Sequence, residues 1–247
     1  MLQDLKVAAL FLTSLPVRVT GQVSMRDLAQ AVYAFPIVGA AVGLSGGLVF
    51  LLASLLGLPT MPAALLAITA MILATGGLHE DGLADTADGL GAGEDREKAL
   101  AIMRDSRIGS FGALALMLAL LARLMALAPI FDPVLALKVL VAAGMVSRAV
   151  MGLVMLLQPS AKATGLAAET GRPEAARVAI GGGLALIVAV LLLRQLGLVA
   201  TGAAVAVALL VAWWLGRRLG GCTGDTLGAV QQVAEITFLL AVTAWLG

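Results

Sequence analysis

The sequence is poor in the residues that most soluble enzymes use for disulfides, metal sites and charged surfaces. It has one cysteine, Cys222, and one histidine, His79, which excludes an intrachain disulfide, a cysteine-based zinc site and a multi-histidine centre. Charged residues make up 13% of the chain, whereas a soluble domain carries about 25%. The net charge is only +1, so we expect no nucleic-acid partner.

Long apolar stretches dominate the chain instead. Hydrophobic residues occupy 61% of its 247 positions, and several stretches reach about 18 residues, the length needed to cross a bilayer. The sequence therefore predicts an all-α polytopic membrane bundle, with residues 1–247 as a single membrane domain. We predict seven transmembrane helices: Ala31–Leu56, Pro62–Leu78, Ser110–Ile130, Val134–Leu157, Arg177–Leu193, Leu198–Gly216 and Thr226–Leu246.

Residues 1–30 form an N-terminal segment outside these spans. Within it, Leu5–Val19 is too short and too punctuated to cross a bilayer. We therefore expect an amphipathic helix that lies at the membrane interface.

The distribution of basic residues predicts the orientation of the bundle. If the N-terminus is cytoplasmic, only Arg194 falls on the opposite side, and the cytoplasmic excess agrees with the positive-inside rule. The acidic segment 79–109, the loop 158–177 and the Gly-rich loop 217–226 then share the cytoplasmic face. The basic residues on that face are Lys6, Arg18, Arg26, Arg96, Lys98, Arg104, Arg107, Lys162, Arg172, Arg177, Arg217 and Arg218.

Residues 79–88, HEDGLADTAD, concentrate four carboxylates in an otherwise apolar chain. Asp81, Asp85 and Asp88 are spaced i, i+4, i+7, which places them along one face of a helix. Such close like charges are unfavourable unless a cation lies between them, and carboxylates favour Mg²⁺. His79 is expected to be a hydrogen-bonding neighbour rather than a ligand. The alternative is a solvated acidic loop.

A second cluster precedes the third span. Arg104 and Arg107 flank Asp105 there, and arginine side chains bind phosphate in a bidentate manner. Asp105 could complete a metal shell. The alternative for the arginines is ordinary anchoring at the cytoplasmic interface.

A third cluster, residues 220–229, is rich in glycine and leads into the last span. Backbone of this kind at a helix start can bind an anion, which makes Gly224 a candidate phosphate contact. Asp225 is equally compatible with a helix N-cap and with a metal ligand.

Glu235, Arg123 and Arg148 are charged residues deep inside the predicted spans. Glu235 is either part of a functional site or the partner of an arginine. Arg148 can reach a cytoplasm-facing cavity or pair with Glu235, whereas Arg123 lies nearer mid-span and is expected to form a buried ion pair.

The chain also carries segments, in order from residue 11 to 229, that are similar to a known family: Phe11–Val17, Phe35–Gly39, Gly77–Gly89, Ile102–Gly112, Ser147–Arg148 and Gly224–Ala229. On these segments the chain resembles the cobalamin synthase family, the adenosylcobinamide-GDP ribazoletransferases or cobalamin-5′-phosphate synthases. The loop 158–177 matches only loosely, through Lys162, residues 164–166 and Arg172.

The resemblance implies a Mg²⁺-dependent enzyme of the bacterial inner membrane whose active site faces the cytoplasm. Its reaction would join adenosylcobinamide-GDP to α-ribazole or α-ribazole 5′-phosphate, forming adenosylcobalamin or its 5′-phosphate and releasing GMP. The expected partners are these small molecules and the lipid bilayer, and the sequence leaves a homo-oligomer open.

The predicted site residues fall into three groups by role. One catalytic carboxylate would take the proton of the attacking hydroxyl, and the candidates are Glu80, Asp81, Asp85 and Asp88. The metal ligands would stabilise the pyrophosphate through Mg²⁺, and they are Asp81, Asp85, Asp88, Asp105 and Asp225. The candidate phosphate contacts are Arg104, Arg107, Arg148 and Gly224.

Two other functions are open at this point. The acidic stretch is similar to the Asp-Gly-x-x-Ala-Arg metal motif of CDP-alcohol phosphotransferases, but Ala84 falls one residue early and no second Asp-x-x-x-Asp pair follows at the expected distance. A cation-coupled transporter would use intramembrane acids as an ion relay. The acids collect on one face, however, and no internal repeat is evident.

Overall fold

Helices form the regular structure in the computed structural model, which describes residues 2–18, 24–91, 93, 95–161 and 171–246. Within that part of the chain, the β pairing is limited to an isolated bridge between Ser160 and Cys222. In chain order the helices are α1 (Leu2–Leu12), α2 (Met25–Gln30), α3 (Phe35–Leu55), α4 (Thr60–Thr75), α5 (Leu78–Gly91), α6 (Arg96–Ile102), α7 (Ser110–Leu127), α8 (Pro133–Leu157), α9 (Ala175–Leu193), α10 (Gln195–Leu219) and α11 (Gly224–Leu246), with a 3-10 turn at Val32–Ala34.

The predicted all-α membrane bundle is confirmed. Six helices of the described residues, α3 and α7 to α11, are long and apolar enough to cross a bilayer, and α4 with α5 forms a seventh, bent candidate. Large apolar side chains such as Leu118 and Leu210 are exposed on the outside of the bundle, where lipid can surround them. The chain is therefore a multi-pass membrane protein.

The second predicted span ends earlier than the sequence indicates. Helix α4 stops at Thr75, and the axis of α5 is turned by 88° from it. Gly76 and Gly77 both have positive φ, at 65° and 73°, a conformation that glycine adopts at little cost and that commonly ends a helix. These residues therefore form the corner before α5 instead of the last turn of a span.

The N-terminal helix differs from its predicted range of Leu5–Val19. It runs from Leu2 to Leu12 and buries Val7 and Ala8. Beyond it, Ser14 donates its backbone N–H to Ala74 O at 2.9 Å, and proline at position 16 disfavours further helix. The helix ends early because the chain turns to contact the end of α4.

Helix α8 lies at the centre of the bundle and contacts α3, α9 and α11. Its closest approach is to α3, where a Cβ on Gly39 or Gly43 would overlap the backbone of α8 at Gly144 or Leu140. Small residues allow such contact between membrane helices. Gly39 and Gly43 therefore serve the packing of α3 against α8.

The two ends of the bundle differ in their connections. Short turns join α3 to α4, α7 to α8 and α9 to α10 at one end, as in antiparallel bundles. The other end contains the end of α8, the starts of α7, α9 and α11, and the helices α5 and α6. We call it the loop-rich end.

Candidate active site

Helix α5 carries the acidic stretch, as the spacing of the carboxylates predicts. It packs against α7 and α11. His79 and Thr86 are buried on it, Asp85 and Asp88 are half-buried, and Asp81 is exposed. The alternative of a solvated acidic loop is therefore wrong, because these carboxylates lie on a helix packed into the bundle.

Helix α5 is in backbone contact with the start of α11. A Cβ on Gly82 would lie 2.8 Å from the carbonyl oxygen of Asp225, and a Cβ on Gly228 would lie 3.2 Å from that of His79. Glycine at both positions allows the two helices to touch. Gly82 therefore brings the acidic helix α5 directly against α11.

A cavity of about 480 Å³ opens beside this contact at the loop-rich end. Asp81, Gly224, Asp225 and Arg172 contribute to its polar lining. Its apolar wall comes from α1, α2, α3 and α8 and includes Phe11, Leu12, Leu28, Phe35, Met151 and Met155. We call this space the Asp81–Asp225 cavity, because it unites two candidate metal ligands that are far apart in the sequence.

Thr223 takes the capping role at the start of α11. Its Oγ1 accepts a hydrogen bond from Thr226 N at 3.1 Å, and Thr226 Oγ1 accepts one from Thr223 N at 2.8 Å. This reciprocal arrangement satisfies the first N–H groups of the helix. Asp225 lies within the first turn, so its alternative as the N-cap is wrong.

His79 combines deep burial with an unpaired nitrogen. The residue is 1% exposed, it lines the Asp81–Asp225 cavity, and its Nε2 has no hydrogen-bond partner among the described residues. A buried polar atom without a partner is unfavourable and requires an explanation. A bound ligand would supply one.

Asp88 holds the start of α7. Its carboxylate accepts hydrogen bonds from Gly109 N at 2.7 Å and from Gly112 N at 2.8 Å. A Cβ on either glycine would overlap the carboxylate. Asp88 thus binds orphan N–H groups at a helix start, a contact that helical spacing within one segment does not predict.

Two glutamates and two arginines form a buried ion network inside the bundle. Arg123 lies 2.8 Å from Glu80 and 2.7 Å from Glu235, while Arg148 lies 3.4 Å from Glu235. Arg123, Arg148 and Glu235 are at most 2% exposed, and equal numbers of opposite charges make their burial tolerable. The predicted pairing of Glu235 with arginine is confirmed, and so is the buried ion pair of Arg123.

Glu80 and Arg148, which have predicted roles in the reaction, both belong to this network. Glu80 accepts hydrogen bonds from Arg123 and from Gln232. Arg148 donates to Gly144 O and Glu235. Both side chains are therefore bonded within the bundle.

The predicted phosphate segment lies apart from the cavity. Arg104 and Arg107 are exposed. Neither of these two residues, nor Asp105, is among the described residues that line the cavity. Arg107 Nη2 lies 2.7 Å from Asp105 Oδ2. This guanidinium, together with the Arg107 backbone N–H, holds the pKa of Asp105 below its usual range.

Several polar residues at the site are not among the predicted site residues. Gln231 and Gln232 donate to Glu235 and Glu80 inside the network, and two consecutive amides in an apolar span are a signal that could have indicated this. Arg172 matches the family only loosely but lines the cavity. Lys162 and residues 164–166 lie outside the described residues.

The donors of the cavity suit a hard cation. Asp81 and Asp225 supply carboxylate oxygens, the ligands that Mg²⁺ prefers. Within the described ranges, no three His, Cys, Asp or Glu side chains come close enough to enclose a metal ion. Mg²⁺ usually binds through one or two carboxylates together with substrate phosphates, so two carboxylates at one cavity fit this ion.

Fold and site together define a multi-pass helical membrane protein with a carboxylate-lined cavity at one end of its bundle. Residues 4–243 match the sequence model of the cobalamin-5-phosphate synthase family, and the chain belongs to that family. The predicted resemblance is therefore confirmed.

Individual relatives support this family assignment over nearly the whole chain. A protein of Bradyrhizobium diazoefficiens is 44% identical over 98% of this chain and 94% of its own length. One of Xanthobacter autotrophicus is 46% identical over 99% of this chain and 97% of its own. Both are named adenosylcobinamide-GDP ribazoletransferase. No solved structure matches the chain significantly.

Proposed function

We propose that this chain is a transferase that joins adenosylcobinamide-GDP to α-ribazole, or to α-ribazole 5′-phosphate, and releases GMP. This would be the last assembly step of the nucleotide loop in cobalamin biosynthesis. The relatives carry the name of this activity. The observation that carries the proposal in the structure is the convergence of Asp81 and Asp225 on one cavity. No comparison favours a lipid phosphotransferase or a transporter.

The reaction exchanges one bond at phosphorus for another. A ribazole hydroxyl oxygen forms a bond to the phosphorus nearest the cobinamide, and the bridging P–O bond to GMP breaks. The electron pair of that bond leaves with GMP, and the hydroxyl proton passes to a base. The protein must therefore position the hydroxyl and stabilise charge on the pyrophosphate.

The base is best sought on the cavity side of α5. Asp81 lines the cavity, and Asp85 follows one turn later on the same helix face. Glu80 is bonded to Arg123 and Asp88 to the start of α7. We place the proton on Asp81 because it lines the cavity, and helical spacing adds Asp85 as the second candidate. A pH–rate profile of Asp81→Asn and Asp85→Asn identifies which one takes the proton.

Two features of the cavity suit the phosphates. Arg172 is exposed and lines the cavity, and its guanidinium can donate to phosphate oxygens. Gly224 begins α11, and the first turn of a helix favours bound anions. Arg104 and Arg107 remain proposed contacts for the part of the substrate outside the cavity.

Mg²⁺ is the proposed cofactor, and when bound it would neutralise charge on the pyrophosphate and the leaving phosphate. Asp81 and Asp225 are its most strongly supported ligands, since both line the cavity. Asp85, Asp88 and Asp105 remain ligands proposed from the sequence alone. Asp88 holds α7 and Asp105 pairs with Arg107.

The proposed location is the bacterial inner membrane, with the loop-rich end in the cytoplasm. The basic excess of the connecting segments supports this orientation. The corrinoid ring system is too bulky for a cavity of about 480 Å³. We therefore place it at the cytoplasmic surface, with the phosphates entering the cavity.

Purified protein in detergent tests the activity directly. With Mg²⁺, it should convert adenosylcobinamide-GDP and α-ribazole to adenosylcobalamin with release of equimolar GMP. Asp81→Asn should lose turnover by about 10²-fold or more, whereas Glu97→Gln, an exposed acid on α6, should retain it. Absence of GMP with every divalent cation, or a new lipid from CDP-diacylglycerol, would contradict the proposal.

A further inference from the structure

The Asp81–Asp225 cavity has two chemically different parts. Asp81, Asp225 and Arg172 are charged, whereas the opposite part is formed by apolar side chains such as Phe35 and Met155. Phosphate chemistry uses only the charged part. Water finds few hydrogen-bond partners in an apolar space, so the apolar part suits an apolar ligand group.

We infer that the apolar part binds the benzimidazole base of α-ribazole, and that His79 Nε2 donates a hydrogen bond to the free ring nitrogen of that base. This inference rests on the proposed transferase function. It places the nucleophilic substrate inside the bundle and the corrinoid outside.

Size favours α-ribazole as the occupant. Pockets for small organic ligands have volumes of about 300–1,000 Å³, and this cavity has about 480 Å³. One nucleoside fits such a volume, whereas a corrinoid does not. A flat aromatic base also suits a wall that contains Phe11, Met151 and Met155, since aromatic rings and thioethers pack favourably against each other.

Polarity distinguishes the benzimidazole from the guanine of the other substrate. Guanine has several donors and acceptors on its edge, and each would need a partner when buried. The dimethylbenzimidazole edge is apolar apart from one ring nitrogen that accepts. His79 is 1% exposed, and its Nε2 lacks a partner among the described residues, so one buried donor meets one acceptor.

The position of His79 links base binding to the chemistry. His79 precedes Asp81 by two residues on α5, and both line the cavity. A base held at His79 would therefore keep its ribose hydroxyls close to the carboxylates of the same helix. Such positioning lowers the entropic cost of the attack.

A pair of tryptophan substitutions tests the location of the base. Met155→Trp fills the apolar part, and we expect the KM for α-ribazole to rise about tenfold or more while the KM for adenosylcobinamide-GDP changes less than about twofold. Met117→Trp is the matched control, because Met117 is 54% exposed on the outer side of α7. It should change neither constant.

A substrate analogue tests the hydrogen bond. The α-riboside of dimethylindole has a carbon in place of the free ring nitrogen, and wild-type protein should use it with a kcat/KM about tenfold or more below that of α-ribazole. His79→Ala should remove this discrimination, and His79→Gln, which keeps a donor, should restore part of it. If His79 had a purely structural role, His79→Ala would lower kcat/KM for α-ribazole and for the indole analogue by the same factor.

The outcomes separate the inference from the proposed function. If wild-type protein releases no GMP, the function itself is wrong. If it is active but Met155→Trp raises only the KM for adenosylcobinamide-GDP, or raises neither constant, the base lies elsewhere and the inference fails. The inference also fails if His79→Ala keeps the preference for α-ribazole over the indole analogue.

Discussion

The backbone of Gly82 on α5 lies directly against the backbone of Asp225 on α11, without room for a side chain between them. This contact aligns the acidic helix with the Gly-rich start of the last span. It therefore positions Asp81 and Asp225 at one cavity. The geometry of the proposed metal site depends on a residue that has no functional group.

Substitution of Gly82 should accordingly disrupt activity. In Gly82→Val the Cβ would meet the Asp225 carbonyl oxygen at 2.8 Å, and because that oxygen belongs to the backbone of α11, the helices must separate. Such overpacking typically costs about 1–3 kcal/mol, and we expect turnover to fall at least about tenfold through misplaced carboxylates. GMP release and the thermal midpoint are measured on the same preparation.

The control for this change is Gly202→Val on α10, where a Cβ would meet nothing within 4 Å. It should leave turnover and the thermal midpoint close to those of the wild type. Equal activity of the Gly82 and Gly202 variants would show that the α5–α11 contact is unimportant for the reaction.

Mg²⁺ binding should be detectable without turnover. Saturation of a site at a hundredfold excess over Kd stabilises a protein by about 2.7 kcal/mol, so Mg²⁺ should raise the thermal midpoint of the wild type. Asp81→Asn and Asp225→Asn should abolish this shift. Glu97→Gln, a change at an exposed acid on α6, should retain it. A shift that survives in both Asp81→Asn and Asp225→Asn would place the ion elsewhere.

Asp88 on α5 should prove to stabilise the start of α7. Asp88→Ala removes the acceptor for Gly109 N and Gly112 N, and loss of such a helix-start acceptor costs about 0.5–2 kcal/mol. Asp88→Asn keeps one carbonyl oxygen and should be less destabilised. If Asp88→Asn has wild-type stability but loses the Mg²⁺-induced shift, metal binding is its main role.

Local pattern predicts six of the seven spans and the helix of Asp81, Asp85 and Asp88, because hydrophobic length and helical spacing are properties of contiguous sequence. The partners of these residues are not local. Gly82 meets Asp225 and Asp88 meets Gly109 through tertiary packing, which spacing within one segment does not encode. The corner at Gly76 was likewise missed, since its neighbours are apolar enough to continue a span.

The buried ion network allows a test of charge balance. Glu235→Gln leaves Arg148 without its carboxylate partner, and an uncompensated buried charge costs about 3–5 kcal/mol. Adding Arg148→Met removes that charge and leaves the 2.8 Å pair of Glu80 and Arg123 in place. We expect the double variant to be more stable in detergent than Glu235→Gln alone. A double variant that is less stable than the single one would contradict this account.

The orientation of the loop-rich end can be tested by thiol labelling. Cys222 is buried, and burial raises the pKa of its thiol, so the native chain should react slowly with maleimide. Ser106→Cys places an exposed thiol at the loop-rich end, and Phe131→Cys places one in the α7–α8 turn, where Phe131 is 80% exposed. The basic excess places the loop-rich end in the cytoplasm. A membrane-impermeable maleimide should therefore label Phe131→Cys in spheroplasts, and it should label Ser106→Cys only in inverted vesicles. The reverse pattern would put the Asp81–Asp225 cavity on the outer side, away from cytoplasmic nucleotide substrates, and the proposed location of the reaction would be wrong.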